Sequence, residues 1–386
     1  MLRDTMCPAD KGHDPSLGDR VATLGLEPLV AAADGTALYL VGGAVRDLLL
    51  GGERSDVDVA VEGDAIALAR RLGGDVHEHE RFGTAKVHLD GLEVDLAGTR
   101  AEEYPAPGSL PVVRPAALAE DLARRDFTVN AMAVPLAEPN ELIDPHGGRQ
   151  DLDSGRLRVL HTDSFRDDPT RALRAARYAA RFGFTLELGT ERLLQTADLD
   201  TVSTDRVDAE LLRLAEEPEW RRGLELLGEW GLVEAADLDL AAAVRETLSR
   251  PGWGGSTSLA HATLVAGGVA AGLFAAPLTP LRDARELAVI EPGSPSRLAA
   301  AARDASPLTL VLARSLGAEW LDSFIEEWRN VRLEIGGEDL LAAGVAQGPA
   351  VGRGLAAALA AKLDGEASGR DDELRIALAA ARRPSA

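Results

Sequence analysis

The chain has 386 residues, 46% of them hydrophobic and only 4% aromatic, and a formal net charge of −22. That length exceeds one ordinary core, so two or more domains are expected, Ala/Leu-rich and largely helical. The acidic balance excludes a broad basic surface for nucleic acid, so any such contact must come from local arginine clusters.

Arginine supplies nearly all the positive charge, and lysine is scarce. The single cysteine, Cys7, excludes a disulfide framework and a Cys-rich metal site, which suits a cytoplasmic protein. Asp4, Asp10 and Asp14, with no apolar run among them, argue against a signal peptide. Residues 259–276 carry no charge, but they are weakly apolar, include His261 and lack basic flanks. They read as a buried helix pair rather than a membrane span.

Residues 1–35 form a polar extension that ends in a short amphipathic piece, Arg20–Ala33. Leu38–Val41 is a buried strand. Gly42-Gly43 opens a helix to Leu50, and Gly51-Gly52 closes it, as glycine does at helix ends. Ser55–Val61 is a second strand and Ala65–Leu72 a helix. Residues 85–89 and 92–96 flank Asp90-Gly91, a strong hairpin signal, with Val87, Leu89, Leu92, Val94 and Leu96 serving the core. Residues 103–115 are a Pro-rich loop, and 147–160 a turn with a short strand. From Ser164 the pattern is helical to the end, opening on Asp168-Pro169 as N-cap acid and first-turn proline.

Three clusters carry chemistry. Asp56 and Asp58 alternate with Val57, Val59 and Val61, so both acids share one strand face while the valines take the core. Such a pair suits Mg²⁺, and the glycine-led helix before it suits phosphate, with Arg46 one turn in as a clamp. The plainer alternatives are a solvated strand end and a surface arginine paired with Asp47. Glu93 and Asp95 face together away from the core and are both candidates for a third carboxylate. Arg124-Arg125-Asp126 sets positive charge at the edge of the apolar run Phe127, Val129, Met132. Residues 156–181 hold seven arginines against three aspartates. Arg171, Arg174, Arg177 and Arg181 fall on one arc of roughly 120° of a helix, with Leu173, Ala176 and Ala180 opposite. An arginine stripe in so acidic a chain favours a polyanion partner.

These segments, LYLVGGAVRDLLLG…SDVDVAVEGD, LARRDFTVNAMA, IDPHGG and FRDDPTRALRAARYAARFGF, resemble the successive motifs of the bacterial class II tRNA nucleotidyltransferase and poly(A) polymerase family. The resemblance runs from Leu38 to Phe184, and GEDLLAAGVAQGPAVGRGLAAALAAKLDGE is similar to the tail of its CCA-adding branch.

It implies an α+β protein: a polymerase-beta-type head with a mixed sheet (36–160), then an all-α neck (161–230), body (231–330) and tail (331–386). It implies two-metal nucleotidyl transfer from CTP and ATP to the 3′ end of tRNA without a template, with Mg²⁺ as cofactor. CC-only, A-only and poly(A)-adding enzymes are the alternatives within the family, and an inactive RNA-binding paralogue is the alternative outside catalysis.

The roles it implies are metal binding by Asp56 and Asp58, with Glu93 as the further carboxylate in preference to Asp95. Gly43 and Arg46 would meet the triphosphate, and Arg125 the nucleotide. Asp168 and Arg171 would read the base, supported by Arg174 and Arg177. The family's usual Glu-Asp is here Asp167-Asp168. A carboxylate accepting from the exocyclic amine of C or A, beside an arginine donor to the ring nitrogen, admits those bases and rejects G and U. Residues 344–349 read as a plain interhelical turn, and no protein partner or membrane contact is expected.

Overall fold

The computed structural model describes residues 15–52, 57–79, 83–89, 91–234, 236–269 and 279–383. Cys7, Asp56, Asp90 and the second half of the uncharged 259–276 segment lie outside them. Two compact units divide the chain, Met1–Val207 and Asp208–Ala386.

The first unit opens with two short helices, α1 (Leu17–Ala22) and α2 (Glu27–Ala32), where the sequence suggested one amphipathic piece. Gly25, at φ +69°, breaks them apart. Strand β1 (Leu38–Val41) feeds helix α3 (Gly43–Leu50), which ends on Gly51 in the left-handed conformation. Then follow β2 (Val57–Val61), α4 (Ala65–Leu72), β3 (Asp75–His79), β4 (Thr84–Leu89) and β5 (Leu92–Gly98). Helix α4 starts on Asp64, whose carboxylate accepts from the Ala67 N–H at 3.0 Å, and ends with Arg70 and Arg71 against the helix dipole.

The central sheet is mixed and six-stranded, in the order β3-β4-β5-β2-β1-β8, where β8 is Ala133–Pro135. Its one parallel pair is β2 with β5. Val57 and Val59 align through this register with Val94 and Leu96, which pair in turn with Val87 and Ala85 on β4, and all six are buried. Each such valine contributes about 1.5–3 kcal/mol on burial. A slip of one residue would bury the acids and expose the valines, so the alternation pins the register.

Residues 103–115 are not a plain loop. Strands β6 (Arg100–Glu103) and β7 (Val112–Pro115) pair antiparallel and leave only 104–111 as the connection. Helix α5 (Leu118–Ala123) follows, and then a 3₁₀ turn at Thr128–Asn130. The 147–160 segment holds a helix as well as its strand: α6 (Gly148–Asp153) precedes β9 (Arg156–Leu157). Strand β9 pairs with β10 (Thr185–Leu186), which interrupts the helical pattern expected after Ser164. Between them lie α7 (Ser164–Asp167) and α8 (Thr170–Phe182), the latter closed by Gly183 at φ +68°.

The second unit is helical throughout its described residues. Its larger core gathers around Trp253, which is 2% exposed and donates from Nε1 to Asp322 at 3.0 Å. Helix Leu259–Ala266 is buried there, which agrees with the first half of the expected pair. Among the described residues no helix is long and apolar enough to cross a membrane. A smaller core of Ile335, Leu340, Ala358, Ala377 and Ala381 closes the C-terminal helices. Gly354 permits their close approach: a Cβ there would lie 2.7 Å from the Ala377 carbonyl oxygen. Residues 343–348 form the turn between helices Gly337–Ala342 and Pro349–Leu363.

Candidate active site

The site builds from the polar face of the central sheet. Asp58 on β2 and Asp95 on β5 are direct register partners, so their side chains share one face. Both line one cleft, together with Lys86, Asp121, Arg124 and Arg125. Lys86 on β4 is the cross-strand partner of Asp95, and its Nζ lies 3.3 Å from Asp95 Oδ2. Glu93 is one pair further along β5 and does not line this cleft. Its carboxylate takes hydrogen bonds from Lys86 and from His88 Nε2 at 3.0 Å, and the Lys86 bond chiefly holds its pKa below the usual range. The geometry therefore sets Asp95, rather than the expected Glu93, beside Asp58.

The glycine turn borders the same cleft. Gly42 has φ +68° and caps α3, which a side chain would resist. Space forbids one too: a Cβ there would lie 2.8 Å from Arg125 Nη1 and 3.9 Å from Asp58 Oδ2. First-turn N–H groups of a helix lack acceptors within it, so α3 points donors and the positive end of its dipole here. Gly43 is the first residue of that helix.

Arg46 is neither an exposed clamp nor a surface ion pair. It is 4% exposed, donates from Nε to Asp47 at 2.7 Å and from Nη1 to Asn130 at 2.7 Å. Its guanidinium also lies over Phe182 at 4.5 Å and Tyr178 at 5.1 Å. What it turns to the glycine pair is Nη2, 3.4 Å from where a Gly43 Cβ would sit.

Arg125 is held by Asp121, Nη2 to Oδ2 at 2.9 Å, and Arg124 by Asp121 Oδ1 at 2.7 Å and Glu102 at 2.8 Å. Burial opposes ionisation of Asp121, but Arg125 and Arg124 outweigh it and hold the carboxyl below its ordinary range. Glu102 also accepts from Tyr104 at 3.0 Å. Burial pushes the Tyr104 hydroxyl up to about 12, so it stays a neutral donor.

Helix α8 does not present its arginines as one solvated stripe. Arg171 is 4% exposed and donates to Ser164 Oγ and to the Arg124 carbonyl, each at 2.7 Å. Arg174 pairs with buried Asp126 through Nε at 2.8 Å, and Arg177 lies over the Tyr178 ring at 4.6 Å. Only Arg181 of the four is exposed. Leu173, Ala176 and Ala180 are buried as the helical phase predicts, but small residues let the helix sink until Arg171 and Arg174 became internal donors. Asp168, extended in conformation, accepts from the Thr170 N–H at 3.1 Å one residue ahead of Pro169, which caps α8 in place of the expected Asp168. Its Oδ1 also accepts from Arg206 at 2.8 Å.

Sequence reasoning passed over Arg206. It lies in the first turn of helix Thr204–Glu216 and donates its second bond, at 2.8 Å, to the carbonyl of Gly108 in the 104–111 connection. Gly108 in turn donates to the Arg166 and Asp167 carbonyls, at 3.2 Å each. Only the fold brings together residues 98 positions apart, so no local signal marked it.

A carboxylate pair on neighbouring strands, a glycine-capped helix start and fixed arginines define a nucleotidyltransferase head. The family model for the poly(A) polymerase head domain matches residues 38–158. A CC-adding tRNA nucleotidyltransferase of Deinococcus radiodurans is 36% identical over 370 residues, covering 90% of each chain. The chain therefore belongs to the class II tRNA nucleotidyltransferase family.

A-adding tRNA nucleotidyltransferases of Geobacter sulfurreducens and Halalkalibacterium halodurans match at 34% over 88% of this chain and 45% over 47% of it. The chain spans about half the length of these two relatives, 45% of each. Among solved structures, an apo CCA-adding enzyme superposes with TM-score 0.78 at 28% identity, covering 95% of this chain and 99% of that one. A Thermotoga maritima CCA-adding enzyme complexed with tRNA gives 0.69 at 28%, covering 96% of each.

Proposed function

We propose that this protein is a cytoplasmic enzyme that completes the 3′ end of tRNA by adding CCA from CTP and ATP without a nucleic-acid template. The observation that carries this reading is the register pair Asp58–Asp95 beside the Gly42 turn and Arg125. In the step itself the RNA 3′ hydroxyl gives up its proton to solvent and its oxygen bonds to the α-phosphorus. The α–β phosphoanhydride bond breaks, and pyrophosphate leaves with its electron pair.

Carboxylate oxygens on adjacent strands are the hard donors Mg²⁺ takes, so Asp58 and Asp95, together with Asp56, would hold it. Bound there, Mg²⁺ would neutralise phosphate charge and make the attacking hydroxyl more acidic. Arg125, its far edge fixed by Asp121, directs Nη1 to the glycine turn and orients the phosphates with the Gly43 end of α3. Arg46 contributes mainly by holding α3 against α8, with Nη2 toward the turn.

Asp168 and Arg171 select C and A as the sequence suggested, with Arg174 and Arg177 stiffening the helix that carries them. Arg206 positions Asp168. Arg206→Ala is expected to lower discrimination of CTP and ATP against UTP and GTP by roughly tenfold, at the low end of what one base contact supplies. Single-turnover addition of each nucleotide measures it, and an unchanged preference would remove Arg206 from selection. Asp168→Ala should relax the same selection further.

A second reading is CC addition alone, since the Deinococcus relative that spans 90% of this chain is a CC-adding enzyme. The test is to supply tRNA transcripts ending before CCA, after C and after CC with Mg²⁺ and each nucleotide, and to size the products. All three should finish as CCA. Arrest at CC supports the second reading, growth from CC alone an A-adding enzyme, and long tails poly(A) synthesis.

A further inference from the structure

The polar face of the central sheet continues past the catalytic cleft to its outer edge. There Asp75 and His77 on β3 stand beside His88 on β4, and one ligand atom from each lies within 4.8 Å of the others. The pairing is built in: Asp75 is the cross-strand partner of His88, and His88 the partner of Glu93. The His77 and His88 rings meet edge to face at 6.0 Å.

His88 is prepared for a metal by its neighbour. Nε2 lies 3.0 Å from Glu93 Oε2, and an ionised carboxylate only accepts, so Nε2 carries the proton. The lone pair is then on Nδ1, which is buried and has no hydrogen-bond partner. A carboxylate fixing the tautomer of a ligating imidazole is the usual outer shell of a metal-bound histidine.

We propose that Asp75, His77 and His88 form a second metal site, for a late first-row divalent cation of the Zn²⁺ type, with Glu93 as its supporting carboxylate. Two imidazoles and one carboxylate suit Zn²⁺ and are poor ligands for Mg²⁺, which separates this site from the all-oxygen pair Asp58–Asp95. Bonds of about 2.1 Å require the three donors to close by roughly an ångström, within reach of exposed side chains. Three protein ligands leave a coordination position for water. The ion would clip β3, which is the sheet's edge strand, to β4. Glu93, taken from the sequence as a catalytic carboxylate, acts here instead.

The experiment is Zn²⁺ titration of the full chain by calorimetry in excess Mg²⁺, which fills the carboxylate pair. Wild type should bind one Zn²⁺, and its melting temperature should rise by about 5 °C at saturating metal. His77→Ala and His88→Ala should each abolish both effects, and Glu93→Gln should weaken binding roughly 10–100-fold. His79→Ala, one pair further along β3, should bind as wild type and shows that the sheet edge tolerates such truncation. No Zn²⁺ uptake by wild type in excess Mg²⁺, or uptake unchanged in His77→Ala and His88→Ala, overturns the site.

Discussion

Asp58→Ala and Asp95→Ala are each expected to lower nucleotide incorporation by roughly 10³-fold, while Glu93→Gln stays within a few-fold of wild type. Losing one carboxylate of a metal pair removes several kcal/mol of transition-state charge stabilisation, and each 1.4 kcal/mol is tenfold in rate. Glu93 differs because its two oxygens are spent on Lys86 and His88, away from the cleft. The comparison is made by single-turnover addition at saturating Mg²⁺ and nucleotide. Equal loss in Glu93→Gln and Asp95→Ala would return Glu93 to the catalytic set.

That pair shows how far sequence reaches. Alternation on β5 established that Glu93 and Asp95 share a face, and the structure agrees. Which of them meets Asp58 depends on the β2–β5 register. That register is parallel and joins strands separated by α4, β3 and β4. Spacing within one strand carries no information about it. The hydrophobic run and glycines of residues 38–52 behaved otherwise, because a helix cap and a left-handed C-terminus are local events. Their limits were read to the residue.

Arginine roles were the hardest to read. Residue type and helical phase placed Arg171, Arg174 and Arg177 on one arc, for which a polyanion was the expected partner. The partners of Arg171, Ser164 and the Arg124 carbonyl, and of Arg174, Asp126, arrive from other segments. Residues 103–115 read as a Pro-rich loop for the same reason. Its anchor at Gly108 is Arg206, almost a hundred residues away. Local chemistry identified which side chains matter, and tertiary packing decided what each one touches.

Asp126 provides the second large effect, this time on stability. Its Oδ1 accepts from the Phe127 N–H at 2.8 Å and from Asn130 at 2.9 Å, and Oδ2 from Arg174 at 2.8 Å. These bonds join α8 to the segment holding Phe127, Val129 and Met132, all fully buried. Burial alone would raise the carboxyl's pKa, but Arg174 and Asn130 overcome it and hold it far below the ordinary range. A depressed folded pKa stabilises fully above the unfolded value of about 3.9, and the contribution is lost as pH falls through the folded one. Asp126→Asn removes the buried carboxylate charge that Arg174, Asn130 and the Phe127 N–H meet, and should cost about 3 kcal/mol. For a unit of this size that is a fall of about 6–12 °C in melting temperature at pH 7. Below about pH 4 the gap should narrow, because the unfolded wild type takes up a proton at Asp126 that the folded form, with its depressed pKa, resists. Thermal melts from pH 7 down to 2.5 measure both effects. A variant that melts within 2 °C of wild type at pH 7, or a gap that does not narrow in acid, would mean the ion pair does not hold α8 in place.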